Sequence, residues 1–264
     1  MAFADLAAAA RSAAASRQRS TPLRELRERT RSAPTAREVV SALRAPGRVV
    51  SVIAEVKRAT ATFADLSGVG DVAVLARFYE AGGAACVSVV TEPIRSHGRL
   101  ADLDAVRGAV DVPVLANDVI VTPYQVHEAR AHGSDMLVLE SLIERTHSLG
   151  MTAVVEAHSR SEALSAVAAG ARYVSVDARD PDTRTIDQSR FEQVAEVLPA
   201  SVTRMATGGV SGPHDVMSYA RAGADIVVVG EAVIRSADPQ QFVAELVAAG
   251  SHPALIPSAH REVL

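Results

Sequence analysis

The chain has 264 residues, 48% of them hydrophobic, and its 31 acidic and 27 basic side chains give a formal net charge of −4. This charge excludes the basic field that draws proteins to nucleic acid, and no apolar run reaches the roughly 20 residues of a membrane span. The single cysteine, Cys86, cannot form an intrachain disulfide, which fits a reducing compartment. We therefore expect a cytoplasmic protein, monomeric or homodimeric, with a small-molecule partner.

Helical patterns occupy the start of the chain. Residues 1–20 are rich in alanine with scattered arginines and lack a compact apolar segment with a cleavage site, which predicts an amphipathic helix and not a signal peptide. Helices are predicted at 4–16, at 23–32 after Pro22, and at 35–43 with Thr35 as the N-cap. Residues 1–46 are therefore predicted to form a helical extension ahead of the first strand.

A repeated pattern organises the rest of the chain: a helix stops at a glycine, small residues follow, and an apolar β-branched run begins. Four copies are EAGGAACVSVV (80–90), RAHGSDMLVLE (130–140), AAGARYVSVDA (168–178) and RAGADIVVVGE (221–231). The other apolar runs lie at 49–54, 112–115, 152–155 and 203–206. Eight such strands, each followed by a helical pattern, predict an α/β protein, a closed (β/α)8 TIM barrel over residues 47–250.

The barrel prediction leaves one alternative and one irregularity. An open doubly wound sheet would more often have fewer strands and a GxGxxG turn after the first, which is absent here. A helix at 242–249 is predicted to close the barrel, and 251–264 to form a loose tail of the single domain 1–264. Residues 141–150 are barely enough for the fourth crossover, so either the helical layer is thin there or a segment is absent.

Active sites of parallel barrels lie at the C-terminal ends of the strands. Glu55 and Lys57 end the first strand two residues apart, so their side chains leave the same face. Lys57 is the only lysine in a chain that otherwise uses arginine, which indicates a need for the chemistry of the amine. The alternative is a solvated Lys57 paired with Glu55 by chance.

The other predicted strands also end in polar or glycine residues. The third to sixth strands end at Asn117, Glu140, Glu156 and Asp177, and the last two at Thr207, Gly208, Gly209, Gly230 and Glu231. Glycine turns that lead into helices expose backbone N–H groups and favour a bound phosphate, although ordinary tight turns would look the same. His158 is expected as a helix cap or surface residue, Arg179 as an anion ligand or a solvated side chain, and no histidine spacing predicts a metal.

Five stretches resemble indole-3-glycerol phosphate synthase, a barrel enzyme of the tryptophan pathway. They are IAEVKRATAT, YEAGGAACVSVVTEP, HGRLADLDAVRGAVDVPVLANDVIVTPYQVHEARAHGSD, VVEAH and GADIVVVGEAVIRSADP. The resemblance covers nearly the whole chain, including the helices before the first strand. It implies an enzyme that closes the indole ring of a carboxyphenylamino-deoxyribulose phosphate with loss of carbon dioxide and water, and that uses no metal or organic cofactor.

Three functional residues of that family have counterparts here. Glu55 and Lys57 match its first-strand glutamate and substrate-binding lysine, and Glu156 matches its general base. Asn117, however, stands where the family has the general-acid lysine of an Arg-Lys-Asp-Phe segment, and an asparagine cannot donate a proton as an ammonium does. Asp177 replaces an asparagine of the family.

Further departures lie in the loops. Thr207 and Gly208 replace a Glu-Ser pair, Glu140 stands at a position that is usually apolar, and TATFA (60–64) replaces Ser-Pro-Ser-Lys-Gly. Thr60 remains a candidate substrate-binding residue. Because the loss of a general acid typically costs about 10² to 10⁴ in rate and added carboxylates repel a substrate carboxylate, these departures predict a remodelled active site.

We therefore predict a carbon–carbon lyase that acts on the family's substrate, an adduct of an aromatic amine with a phosphosugar, or on a close analogue. The family reaction could survive with redistributed proton transfers, with Lys57 or a protonated carboxyl group as the donor. A second alternative is a paralogue with lyase or isomerase chemistry on a related aminodeoxyketose phosphate, without indole closure. A third is a barrel that binds a phosphosugar without turning it over.

Overall fold

A computed structural model of the chain describes residues 3–44, 46–59, 70–180, 183 and 185–255. Its strands are β1 (Ser51–Val56), β2 (Cys86–Val90), β3 (Val114–Asn117), β4 (Met136–Leu139), β5 (Thr152–Ala157), β6 (Tyr173–Asp177), β7 (Thr203–Thr207) and β8 (Ile226–Val229). Each strand pairs in parallel with the next, and β8 pairs with β1. The predicted closed parallel barrel is confirmed.

Helices surround the barrel and precede it. Before β1 lie α1 (Phe3–Ser20), α2 (Leu23–Ser32) and α3 (Val39–Leu43). The helices after β1 to β8 are, in order, α4 (Val72–Ala81), α5 (Leu100–Arg107), α6 (Pro123–Ala131), α7 (Ile143–Ser148), α8 (Arg160–Ala168), α9 (Ser189–Ala195), α10 (Pro213–Arg221) and α11 (Glu231–Ile234). A longer helix, α12 (Pro239–Gly250), and a 3₁₀ turn (Pro253–Leu255) follow; residues 256–264 of the predicted tail lie outside the described part.

The helix starts follow local capping chemistry. At α6 the hydroxyl of Thr122 accepts from the backbone N–H of Gln125, while the side-chain oxygen of Gln125 accepts from the N–H of Thr122. Pro123 takes the first helical position, where no hydrogen bond from its nitrogen is needed. At α4 the side chain of Asp71 accepts from the backbone N–H of Ala73 in the first turn.

The predicted helix at 35–43 is wrong in its first half. Helix α3 begins only at residue 39, and its N-cap is Glu38 instead of Thr35. The segment before it is held extended by Arg37, whose backbone N–H donates to Asp135 and whose guanidinium donates to carbonyls in the loop before β3. These long-range bonds prevent the local helical pattern from forming.

Strands β1, β3 and β5 each end two residues later than their predicted apolar runs, which places Glu55, Asn117 and Glu156 within the strands. Strand β3 begins at residue 114, two residues later than expected, because the N–H groups of Asp111 and Val112 donate to the carboxylate of Glu80 and Pro113 has none. Asn117 is the last residue of that strand. Strand β5 runs on to residue 157, so Glu156 belongs to the strand and not to the loop after it.

The short fourth crossover contains a six-residue helix, α7. The chain enters it through Leu142 in a left-handed conformation, with φ of 72°. Strands β4 and β5 nevertheless pair from Met136 with Thr152 to Leu139 with Val155. The helical layer is therefore thin at this point, and the barrel remains closed across it.

The interior of the barrel is apolar below the C-terminal ends of its strands. Inward side chains form one buried cluster that includes Ile53, Cys86, Leu115, Met136, Val154, Met205 and Ile226. Burial raises the pKa of the Cys86 thiol, so this cysteine packs as a neutral, apolar side chain. A larger cluster joins the outer faces of the strands to the surrounding helices. Within the described residues, no helix has both the length and the apolarity required to cross a membrane.

Candidate active site

A cavity of about 770 Å³ opens at the C-terminal ends of the strands. All eight strands or the loops after them contribute to its lining. The candidate residues named from the sequence that line it are Glu55, Lys57, Asn117, Glu156, Asp177, Thr207, Gly208, Gly209, Gly230 and Glu231. Thr60 lies outside the described residues. The structure thus brings these ten candidates to one cavity.

Glu55 is the centre of a hydrogen-bond network on one side of the cavity. Its Oε1 accepts from Nζ of Lys57 at 3.0 Å, and its Oε2 accepts from Oγ of Ser88 at 3.1 Å and from Nδ2 of Asn117 at 3.0 Å. Glu55 is 7% exposed. The amide of Asn117 is therefore a fixed donor to Glu55.

The same network sets the charge of Glu55. Burial acts to raise the pKa of this carboxyl, but the charge of Lys57 and the hydrogen bonds from Asn117, Lys57 and Ser88 outweigh it and leave the pKa below its usual value. Glu55 is consequently ionised at neutral pH. The Lys57 side chain is 19% exposed, so the solvated surface pair considered from the sequence does not form.

Glycine is required at the two turns expected to hold phosphate. Gly208 and Gly209 adopt φ of 77° and 71°, and a side chain at Gly209 would meet Ile186 at 2.7 Å. A Cβ at Gly230 would lie 2.7 Å from both Cε and Nζ of Lys57. The ammonium group of Lys57 therefore lies against the turn between β8 and α11, beside backbone that an anion could approach.

The candidate base, Glu156, has a histidine partner. Nε2 of His158 lies 3.1 Å from Oε1 of Glu156. This hydrogen bond, opposed by burial and supported by the charges of Glu156, Glu162 and Asp177, raises the pKa of His158. The expectation of a capping or surface histidine missed this contact, which fixes the orientation of the Glu156 carboxylate.

Asp177 ends β6 beside the glycine turn of β7. Its Oδ1 accepts from the backbone N–H of Arg179 at 2.9 Å, while Oδ2 accepts no hydrogen bond within the described part of the chain. Burial and the negative charge of Glu156 raise the pKa of Asp177, against smaller opposing effects from Arg179 and His158. The cavity thus contains a carboxyl group that takes up a proton more readily than an ordinary aspartate does.

The other carboxylate noted in the sequence, Glu140, does not reach the cavity. Its side chain is exposed, and it is absent from the lining, because β4 ends at residue 139 and the chain then turns away through Leu142. Burial and the charge of Glu156 raise its pKa. Of the two additional carboxylates that the sequence predicted for the cavity, Glu140 and Asp177, only Asp177 lines it.

The sequence analysis missed two serines that form part of the cavity floor. Ser88 is paired in register with Glu55, and Ser175 with Glu156, so each points inward from a strand that is otherwise apolar. Ser88 is 0% and Ser175 2% exposed. A polar residue in the inward phase of an apolar strand is the signal that identifies both. Within the described residues, no group of three or more histidine, cysteine, aspartate or glutamate side chains could hold a metal.

Comparisons with known proteins agree with this arrangement. A family model described as indole-3-glycerol phosphate synthase matches residues 4–246. An indole-3-glycerol phosphate synthase of Mycobacterium sp. (strain KMS) is 51% identical over 249 residues, 90% of this chain and 91% of that protein. One from Beutenbergia cavernae is 50% identical over 261 residues, 95% of this chain and 96% of that protein.

Among solved structures, a thiamine phosphate pyrophosphorylase from Pyrococcus furiosus superimposes with a TM-score of 0.60. The two are 18% identical, and the match covers 80% of this chain and 99% of the other. At this identity the likeness shows a shared barrel fold and carries no statement about substrates.

Proposed function

The chain belongs to the indole-3-glycerol phosphate synthase family, and on that premise we propose that it is a carbon–carbon lyase. Its substrate is a carboxyphenylamino-deoxyribulose phosphate or a close analogue. The observation that carries the proposal is the presence of Glu55, Lys57 and Glu156 in one cavity whose rim has the glycine turns of β7 and β8.

The phosphosugar end of the substrate lies at those turns. Lys57 supplies the positive charge, and the backbone of Gly208, Gly209 and Gly230, with that of Glu231 at the start of α11, supplies N–H donors. The contact between position 230 and the ammonium group of Lys57 supports this assignment, because it places the cation beside the turn. Glu55 holds the lysine in that position.

The reacting end of the substrate lies between Asn117 and the carboxylates of β5 and β6. Glu156 is the general base, and His158 orients it through their 3.1 Å contact. Asn117 cannot supply a proton, and its amide is occupied by Glu55. The proton that the family takes from a lysine at this position must come from another group if the ring is to close.

The bond between Asn117 and Glu55 also favours a second candidate function. A site with a fixed amide where an acid is needed suits a reaction on a related aminodeoxyketose phosphate that does not close the indole ring. Lyase or isomerase chemistry of this kind would use the same phosphate turns and Glu156, and it would not use an ammonium acid.

The test compares the wild-type protein with Asn117→Lys and the uncharged control Asn117→Gln, using the family substrate and a fluorescence and mass assay for indole-3-glycerol phosphate. Product from the wild type supports the lyase with ring closure. Product from Asn117→Lys alone, and not from Asn117→Gln, supports the second candidate for the wild type. Absence of product from all three proteins overturns the lyase proposal, and calorimetric binding of the substrate would then indicate a binding protein.

A further inference from the structure

Ring closure in this cavity requires a proton donor. The ring carbon that bears the carboxylate forms a bond to the ketone carbon, the carbonyl π electrons move to oxygen, and that oxygen must be protonated. The bond to the carboxylate then breaks, carbon dioxide leaves, and the electron pair restores the aromatic ring. A second protonation lets the new hydroxyl leave as water while a base takes a proton from the neighbouring methylene, so one proton is consumed overall.

Most titratable groups that line the cavity in the described residues are unsuited to this role. Glu55 is ionised and already accepts three hydrogen bonds, from Lys57, Ser88 and Asn117. Lys57 is paired with Glu55 and lies beside the phosphate turn. Arginines keep their protons in proteins, which excludes Arg179 and Arg235.

The remaining lining carboxyls are Glu231, Glu156 and Asp177. Glu231 begins α11 at the phosphate turn and lies 3.7 Å from an arginine one helical turn later. Glu156 is bonded to His158 and is the base that takes the methylene proton. Asp177 ends β6, the strand next to that of the base, and its Oδ2 accepts no hydrogen bond within the described residues, which leaves this oxygen available to carry a proton into the cavity.

We propose that Asp177, as a neutral carboxylic acid, donates the proton to the substrate carbonyl oxygen during ring closure, in place of the ammonium group missing at position 117. This inference rests on the proposed lyase function. The replacements at 117 and 177 are then complementary, since one removes an acid and the other introduces one. A Cβ at position 208 would collide with Oδ1 of Asp177, so Gly208 leaves room for the carboxyl group in this position.

The charges around Asp177 support its protonated form. Glu156 faces it from β5 and, with burial, raises its pKa, while His158 and Arg179 act weakly in the opposite direction. Tyr219 of α10 contributes a neutral phenol, whose own pKa is raised by burial and by Asp177. Because Glu156 is the neighbouring base, the methylene proton that it accepts can return to Asp177, and solvent supplies the second proton.

The test is a double-mutant cycle in the full-length chain with Asp177→Asn, Asn117→Lys and the double variant, assayed for ring closure across pH. In the wild-type background we expect Asp177→Asn to lower kcat about 10²- to 10⁴-fold with little change in KM. In the Asn117→Lys background, Asp177→Asn should lower kcat less than about tenfold, because the ammonium group of the new lysine supplies the proton. The alkaline limb of the kcat profile should move to higher pH in Asn117→Lys.

An equal fall in kcat in the wild-type and Asn117→Lys backgrounds would overturn the inference. A purely structural role of Asp177 would not depend on whether position 117 carries an acid. Full activity of Asp177→Asn in the wild-type background would also overturn it while leaving the lyase function intact. If the wild type forms no product at any pH, the proposed function and this inference fail together. Circular dichroism and denaturant unfolding of each variant confirm that it is folded.

Discussion

Gly208 leaves the space that the carboxylate of Asp177 occupies, because a Cβ at position 208 would collide with Oδ1 of Asp177. We expect Gly208→Ala to impose two costs, strain at a φ of 77° and displacement of the carboxylate. Left-handed strain costs about 1–2 kcal/mol and overpacking about 1–3 kcal/mol more. Urea unfolding measures the sum.

Gly223→Ala is the matched control for this prediction. Gly223 has φ of 91°, but a Cβ there would meet nothing within 4 Å, so only the backbone strain should appear. The excess loss of stability in Gly208→Ala reports the collision with Asp177. Equal losses in the two variants would show that Asp177 moves aside freely.

The raised pKa of Asp177 makes stability depend on pH with a defined sign. A carboxyl whose folded pKa is raised contributes stability that is fully present below its unfolded pKa, about 3.9, and is lost as pH rises through the folded value. Asp177→Asn removes this loss. Relative to the wild type, the variant should therefore gain stability as pH rises from about 4 towards neutrality, as measured by denaturant unfolding.

Asp215→Asn should show the opposite trend. Burial acts to raise the pKa of Asp215, but hydrogen bonds from Ser211 and Gln188 outweigh it, so its folded pKa is lowered. The stability it contributes is present above the unfolded pKa and lost as pH falls through the folded value. A common trend in the Asp177 and Asp215 variants would contradict both assignments.

The barrel could be predicted from sequence because its signals are local. Helices that end at glycine and are followed by β-branched runs repeat along the chain. The parallel topology brings the C-terminal ends of all strands to the same end of the barrel. The features that could not be predicted depend on contacts between residues that lie far apart along the chain. Helix α3 starts late because Arg37 bonds to Asp135, 98 residues away, and Asn117 is fixed by Glu55, 62 residues away.

Residue identity likewise did not determine where each side chain points. Glu140 and Glu156 both follow apolar runs, yet β4 stops at residue 139 and leaves Glu140 outside, whereas β5 continues to residue 157 and turns Glu156 inward. The role of His158 was missed for the same reason. Its contact with Glu156 depends on a strand end that composition does not locate.

Two histidines should titrate on opposite sides of the usual value of about 6.5. The hydrogen bond that His158 donates to Glu156 raises the pKa of His158, whereas burial and the charges of Arg145 and Arg27 lower that of His127. An NMR titration of the imidazole resonances, assigned with single histidine-to-asparagine variants, measures both. We expect His158 to be the higher of the two.

Glu156→Gln provides the internal control for that titration. It removes the largest cause of the shift at His158, so this pKa should fall, while His127, which Glu156 does not influence, should stay unchanged. A His158 titration that is insensitive to the change would mean that the 3.1 Å contact does not persist in solution.

A buried ion pair joins α5 to the loop before β4. Asp135 is 0% exposed and bonds to Arg107, to the backbone N–H of Arg37 and to that of Val114. Arg107→Ala leaves this carboxylate buried with two N–H donors and without its ion-pair partner, although the charges of Arg37 and Arg130 still act on it. Breaking a buried pair costs about 3–5 kcal/mol, and we expect the lower end because the two N–H donors remain.

Arg160→Ala is the matched control, because it removes an arginine from an exposed pair with Glu196 whose side chains are 54% and 69% exposed. Exposed pairs contribute about 0–1 kcal/mol, so its unfolding midpoint in urea should hardly move. If Arg107→Ala were equally mild, the two backbone donors would suffice for Asp135. The extended segment around Arg37, and not the ion pair, would then be the main support for the carboxylate.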